Sequence, residues 1–408
     1  MKLEHGSKLT EIGPIPEDWE TKRLKEIAPI ATGNTPPTND AANYGDEFLF
    51  VGPVDMGDSK FITTTEKMLS QKGFAKSRQF PEGAILFVCI GSTIGKCGIA
   101  VTKLTSNQQI NAIFPSTNFS NEFLFYAVSF AAPRIKAQAG EQAVPLVNKT
   151  QFSETLIAVP PLREQRAIAQ ALSDIDALIA ALDRLIAKKR DIKQATMQQL
   201  LTGKTRLPGF SSSWDVASLD MLATRTAGVW GSNLHSERNC RRAHIIRAGD
   251  ISQDGRLTGT VTRYISSDEF DRAACGLDDL VITTSGNGLG KLWCCDGREN
   301  LVASNFVRVM HPIPKRAIGR FLGFALRTIE GIRQLREHTA TSAYPNLRPT
   351  YFSTKWIPLP PPDEQMAIAA ILSDMDAELT ALESRRDKTR TLKQGMMQEL
   401  LTGKTRLI

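Results

Sequence analysis

The chain of 408 residues is poor in the groups that most catalysts and membrane proteins need. Its five histidines (His5, His235, His244, His311, His338) are scattered, and no Ser-His-Asp grouping emerges from their positions. Six cysteines (Cys89, Cys97, Cys240, Cys275, Cys294, Cys295) include no Cys-x-x-Cys pair and have no histidine at finger spacing. They read better as buried free thiols than as a disulfide framework or a metal site. Apolar runs such as residues 84–90 and 156–159 are short and soon interrupted, whereas a membrane helix needs roughly 20 apolar residues. No membrane span is expected. The opening Met1-Lys2-Leu3-Glu4-His5-Gly6 has no apolar stretch behind its basic residue, so neither a signal nor a transit peptide is expected, and the default compartment is cytoplasmic.

Nucleotide loops are also missing. Gly91 to Lys96 is one residue short of a P-loop and is followed by Cys97, while Gly203-Lys204-Thr205 has Gln198 where the first glycine should stand. The loop 286–290 is Gly-x-Gly-x-Gly without the third spaced glycine of a dinucleotide site. Pro36-Pro37 has no aromatic residue after it, so an amino-methyltransferase tetrapeptide is absent. Asp55 with Asp58-Ser59-Lys60 faintly suggests a nuclease carboxylate-lysine set, but the spacing is tight and the second half keeps only Asp250. No catalytic residue and no metal ligand is assigned, and a binding protein fits better than an enzyme. Fifty Lys and Arg against 43 Asp and Glu leave a formal charge of +7, a mild bias that makes a polyanion a reasonable partner.

What the sequence does have is a duplication. Residues 160–207 and 360–407 match at one constant offset of 200 without a gap, from Glu164 and Glu364 to Leu207 and Leu407. The remainder of each half repeats faintly. Trp19 and Leu24 match Trp214 and Leu219; Asp55 matches Asp250; Gly91 to Lys96 matches Gly286 to Lys291; Ser106-Asn107 matches Ser304-Asn305. One element was held constant while the other diverged.

The constant element begins at a proline pair, which suits a first helical turn. Apolar residues then fall at Ile168, Leu172, Ile175, Ile179, Leu182 and Ile186, a heptad seam. Gly203 and Gly403 stand where helix C-caps are needed. About 40 residues at 1.5 Å each predict a rod of roughly 60 Å. Two such helices in one chain can bury their stripes against each other, which predicts an antiparallel coiled coil and an approximate twofold relation between the halves. The alternative is a helical linker packed on its own domain. In the second helix Arg386 and Thr389 replace Ile186 and Lys189, so its seam turns polar after Leu382, where pairing is expected to be loose or partner-dependent. Polar identity between copies, above all Glu164-Gln165 and Glu364-Gln365, suggests two surfaces for the same kind of partner; recent duplication would also produce it.

The divergent halves mix strand-like runs (47–51, 84–90, 112–114; 243–247, 280–284, 306–310) with short helices near 122–130 and 320–327. The fold class is therefore α+β, with two α/β domains joined by two long helices as a tandem repeat of pseudo-twofold symmetry. Domains are expected at 1–158 and 208–358, with helical regions at 159–207 and 359–408. Loops rich in Asn, Gln, Ser and Arg offer the side chains that read base edges, the alternative for any one of them being an ordinary solvated loop residue. The candidate DNA contacts are Ser92, Lys96, Asn107, Gln108, Arg241, Arg242, Arg247, Asn287, Lys291 and Arg348, with Lys96 and Lys291 placed to meet backbone phosphates.

Taken in order, Ile15-Pro16-Glu17-Asp18-Trp19 with Leu24, Pro160-Pro161-Leu162-Arg163-Glu164-Gln165-Arg166, the helix end Leu200-Leu201-Thr202-Gly203 leading to Arg206-Leu207-Pro208-Gly209-Phe210, and the repeat at Pro361-Pro362-Asp363-Glu364-Gln365 resemble the specificity subunit of type I restriction-modification systems. The resemblance covers the whole chain. It implies two target recognition domains, each reading one half of a bipartite, asymmetric double-stranded DNA sequence. It also implies a subunit without catalysis of its own, docking two adenine methyltransferase subunits and two ATP-dependent restriction-translocase subunits, with S-adenosylmethionine, ATP and magnesium belonging to those partners. A rod of fixed length would set the half-site separation near one turn of DNA, about 34 Å. A scaffold whose twin domains bind proteins is the competing reading, and a stand-alone nuclease using Asp55 and Lys60 is the third.

Overall fold

The computed structural model describes residues 6–57, 59–140, 143–232, 234, 240–286, 288–340 and 345–407. Among its helices, α1 (Asn121–Lys136), α2 (Leu162–Leu200), α3 (Gly319–Leu326) and α4 (Pro362–Leu400) organise the chain. It divides into two compact units, Met1–Asp183 with Ser384–Ile408, and Arg184–Glu383. These boundaries fall inside α2 and α4, where the sequence placed them at the helix ends. The reason is packing: each long helix gives one half of its length to each unit.

In the first unit, a five-stranded sheet runs Ile30–Thr32, Ile110–Ile113, Ile85–Val88, Cys97–Ala100, Phe61–Ile62. Its middle strand, Ile85-Leu86-Phe87-Val88, is apolar throughout because both faces are covered. Ile85 and Phe87 point into the core shared with α1, where Phe123, Tyr126 and Val128 lie; Leu86 and Val88 point into a second core with Val51, Phe80 and Leu104. Alternation along a strand produces this two-sided burial. A second five-stranded sheet, Tyr44–Gly45, Lys67–Leu69, Phe48–Val51, Leu104–Ser106, Gln79–Phe80, supplies the far wall.

The second unit repeats the plan with smaller sheets. Ala223–Ala227, Val307–Pro312, Leu280–Thr283 and Leu292–Cys294 form one; Val261–Ser266, Cys240–Ile246 and Leu301–Ala303 form the other. Leu280 and Ile282 face the core containing Phe321 and Leu322 of α3, and Val281 faces the core with Val309 and Trp293. The strand and helix positions read from the sequence fall within one to six residues of these elements, the largest difference being the C-terminal extension of α1 to Lys136.

Within each unit the two long-helix segments run antiparallel. In the first, Lys393 pairs with Asp176 at 2.6 Å, and Asp183 takes Arg386 at 3.4 Å and Arg390 at 3.2 Å. In the second, Lys193 pairs with Asp376 and Lys189 with Glu378 at 2.6 Å. Leu172, Leu182, Ile186, Leu372 and Leu379 are buried as the heptad predicts. The polar stretch after Leu382 is not loosely paired. Arg386 meets a carboxylate across the seam, and Thr389 is buried with its hydroxyl donating to the Arg385 carbonyl. All six cysteines are free thiols. Among the described residues no helix is long and apolar enough to cross a membrane.

Candidate nucleic-acid interface

The ends of the long helices hold the chain segments around them in place. After Leu200-Leu201, Gly203 takes φ +70°, the conformation that reverses a chain at a helix end. The turn brings Arg206 onto Glu364, with Nε and Nη2 each donating to one carboxylate oxygen at 2.7 Å. Trp214 Nε1 donates to the same carboxylate at 2.9 Å. The other copy is a replica: Gly403 has φ +73°, Arg406 donates to Glu164 at 2.7 and 2.8 Å, and Trp19 Nε1 donates at 3.0 Å. Gln165 accepts the Ser120 backbone N–H at the start of α1, and Gln365 accepts that of Ile318 at the start of α3.

These contacts correct the reading of Glu164, Gln165, Glu364 and Gln365 as partner-binding residues. All four are at most 2% exposed, and their polar atoms are used inside the chain. The polar identity between copies has an internal cause: the glutamate of one copy binds the arginine of the other, in both directions. Asp176 and Asp376 exchange bonds with Lys393 and Lys193 in the same way. A reciprocal bond constrains both copies at once.

The divergent loops gather at one end of each principal sheet. In the first unit the Gly91 N–H donates to the Pro145 carbonyl, the Cys89 N–H to that of Gln109, and the Asn107 N–H to that of Val51. The second unit makes the same joins, Gly286 to Pro345, Thr284 to Phe306 and Ser304 to Ile246. Four turns are thereby assembled in each, and most candidate DNA contacts lie on them. Ser92 and Lys96 are exposed on the glycine turn, and Gln108 is exposed beside it, accepting the Thr35 hydroxyl at 2.7 Å. Asn107 shapes its own turn, its amide bonding Gln109 at both ends.

In the second unit Lys291, Gly286, Gly288, Ala248 and Phe306 line an open cavity of about 600 Å³. Asn346 also lines a second cavity, of about 630 Å³, with Thr224, Arg225, Thr284 and Arg308. Arg348 is exposed on the Asn346 loop, and Asn287 lies outside the described residues. Arg247 is clasped by Asp250 at 2.8 and 2.9 Å. Partial burial pushes the Asp250 carboxyl up, but the Arg247 hydrogen bonds and charge outweigh it and hold the carboxyl below its usual range.

Arg241 and Arg242 are not brought to this cluster. They begin the strand Cys240–Ile246, and five residues at about 3.3 Å each separate Arg242 from Arg247, roughly 16 Å. Arg241 is paired with Asp271 at 2.7 Å and stacked on Phe270 at 3.7 Å. Sequence reasoning missed Arg225, Arg308, Trp230 and Phe306. Arg308 had a signal, since it is the outward residue between the buried Val307 and Val309.

The Asp55 and Lys60 pair makes no nuclease site. Asp55 accepts the backbone N–H groups of Gly52 and Glu66, both at 2.7 Å, and so ties a turn. Lys60 is 9% exposed and donates to Glu122 and Ser173, both at 2.8 Å. Asp58 lies outside the described residues. Among the described residues no three His, Cys, Asp or Glu side chains are grouped to hold a metal.

A family profile described as Type I restriction modification DNA specificity domain matches residues 16–189 and 279–390. The chain is similar to the type I restriction enzyme MjaVIII specificity subunit of Methanocaldococcus jannaschii, at 23% identity over 96% of this chain and 94% of that one. It is 32% identical to the MjaIX specificity subunit of the same organism over 185 residues, which cover 44% of this chain and 43% of the relative. Among solved structures, the type I restriction-modification S subunit of M. genitalium shares the fold with a TM-score of 0.62 at 15% identity, over 98% of both chains.

Proposed function

The chain belongs to the family of type I restriction modification DNA specificity domains, and from that premise we propose that it is the subunit through which a restriction-modification complex selects its DNA target. The observation that carries the reading is the contrast inside the molecule. Two units of one architecture repeat the same helix-end bond, Arg406 to Glu164 and Arg206 to Glu364, while the loops gathered at the sheet ends differ at matching places such as Thr35 and Trp230 or Gln108 and Phe306. Unlike loops on like frames read unlike sequences. The target is therefore bipartite and asymmetric, one half for each unit.

On this reading the chain has no chemistry of its own and works in the cytoplasm. It docks two methyltransferase and two restriction-translocase subunits, and those partners bring S-adenosylmethionine, ATP and magnesium. Cations on the loop clusters, such as the exposed Lys96 and the half-buried Lys291, supply the phosphate contacts that fix register, while neighbouring polar groups read bases.

The test is a map of adenine methylation in the source cell with and without this gene. A split motif with two unlike halves and a fixed gap, lost on deletion, is the expected result. Unchanged methylation overturns the reading. A second check is duplex binding by the purified chain, whose affinity falls steeply with salt if phosphates are contacted; salt-insensitive or absent binding supports the protein scaffold instead.

A further inference from the structure

The two units hold one cross-loop pair in matching places with opposite chemistry. Gly33 and Gly228 mark the position, because each lies so close to the neighbouring turn that an added Cβ would sit 2.4 Å from the Ser106 carbonyl in one unit and 1.9 Å from that of Ser304 in the other. Two residues after each glycine stand Thr35 and Trp230. Two residues after each serine stand Gln108 and Phe306, in a loop one residue shorter in the second unit. In the first unit the pair is polar, the Thr35 hydroxyl donating to Gln108 at 2.7 Å. In the second it is aromatic, Trp230 and Phe306 meeting edge to face with ring centroids 5.7 Å apart.

An aromatic pair in this place is not a core feature. Trp230 is 72% exposed and Phe306 50%, so the rings forgo burial that each could have used. The surroundings favour a polyanion. Lys291 lines the same cavity as Phe306, and the Arg263 guanidinium donates to the Gly231 carbonyl beside Trp230 at 2.8 Å. The carboxylates of Asp250 and Asp220 in this unit are paired with Arg247 and Arg225. Rigid apolar rings bordered by cations fit a duplex whose bases are partly unstacked against them while its phosphates are held.

We propose, resting on the function argued above, that Trp230 and Phe306 form an apolar wedge that enters the base stack of the half-site read by the second unit, at the position where the first unit presents the hydrogen-bonding pair Thr35 and Gln108. The two half-sites are thus distinguished by different physics. The second is selected for a step that unstacks easily, and the first for the base edge that Gln108 can bond.

The experiment replaces the gene with Trp230→Ala, Phe306→Ala and Gln108→Ala versions and maps adenine methylation for each. The aromatic variants are expected to lose base preference, by tenfold or more, in one half of the motif only, and Gln108→Ala in the other half only. Trp230→Phe should retain the wild-type motif. A motif unchanged in both aromatic variants overturns the wedge while leaving the subunit's function standing; no motif from the wild-type gene overturns both. Should a variant abolish methylation, the purified full chain is added to a duplex of the wild-type motif carrying 2-aminopurine in the second half. The wild type should raise the fluorescence severalfold and Trp230→Ala, with an unchanged melting temperature, should not. An equal rise for both overturns the wedge.

Discussion

Arg406 holds both carboxylate oxygens of Glu164, 242 residues away in the chain, at 2.7 and 2.8 Å. The glutamate is 1% exposed, so the arginine supplies almost all the charge compensation that the carboxylate has, with the Trp19 N–H as the remaining side-chain donor. Removing one partner of such a pair leaves a buried charge and costs about 3–5 kcal/mol. Arg406→Ala should therefore lower the melting transition of the first unit by on the order of 10 °C, at about 2–4 °C per kcal/mol. Calorimetry checks it, and an unchanged transition would mean that Glu164 is not buried in solution.

The two capping glycines make a sharper comparison. Both have positive φ, so alanine is strained at either position by about 1 kcal/mol. Their neighbours differ. A Cβ on Gly203 would meet the Trp214 ring at 3.4 Å, an ordinary contact, whereas on Gly403 it would lie 2.4 Å from two carbons of the Pro16 ring. Overpacking adds roughly 1–3 kcal/mol. Gly403→Ala is expected to be clearly less stable than Gly203→Ala in urea unfolding, and equal midpoints would contradict the packing of Pro16 under the helix end.

The contrast between these two glycines shows what was legible in the sequence and what was not. The helices could be read from Ile168, Leu172, Ile175 and their repeats, because a heptad seam and a capping glycine are local signals. The strand Ile85–Val88 was legible as an unbroken apolar run. Pro16 under Gly403 and Arg406 on Glu164 were not, since nothing local links residues hundreds of positions apart. Glu164-Gln165 looked like a docking surface because identity between copies does not tell an external partner from an internal one. Arg386 reads as a break in the seam from its own helix alone, because its partner Asp183 lies on the other helix. Trp230 and Phe306 became a pair only when the close approaches at Gly228 and Ser304 set their turns side by side.

Glu383 should contribute to acid sensitivity. Partial burial pushes its carboxyl up, but the hydrogen bonds and charges of Arg256 and Arg190 prevail and hold it below the ordinary 4.5. The unfolded chain binds that proton more readily than the folded one, so the stabilisation is fully present above the unfolded value and is lost as pH falls through the folded value. Glu383→Gln should be less stable than the wild type at pH 7, and the difference should close once the pH is well below 4.5. Urea midpoints between pH 7 and pH 3 measure it. A gap that stays constant over that range would show that the arginines act on Glu383 by packing and not by charge.

Asp55 and Lys60 separate a structural role from a catalytic one. Asp55 accepts from two backbone N–H groups, and its loss removes both charge-assisted bonds from the turn, at about 1–3 kcal/mol. Lys60→Met removes the cation that pairs with Glu122 and bonds Ser173. Both variants should unfold at lower urea than the wild type. Neither should change the outcome when the purified chain is incubated with supercoiled DNA and magnesium, because wild-type protein is expected to leave that DNA intact. Nicking by the wild type that disappears in Asp55→Ala would restore the nuclease reading, since a carboxylate that merely ties a turn has no means of activating water on a phosphodiester.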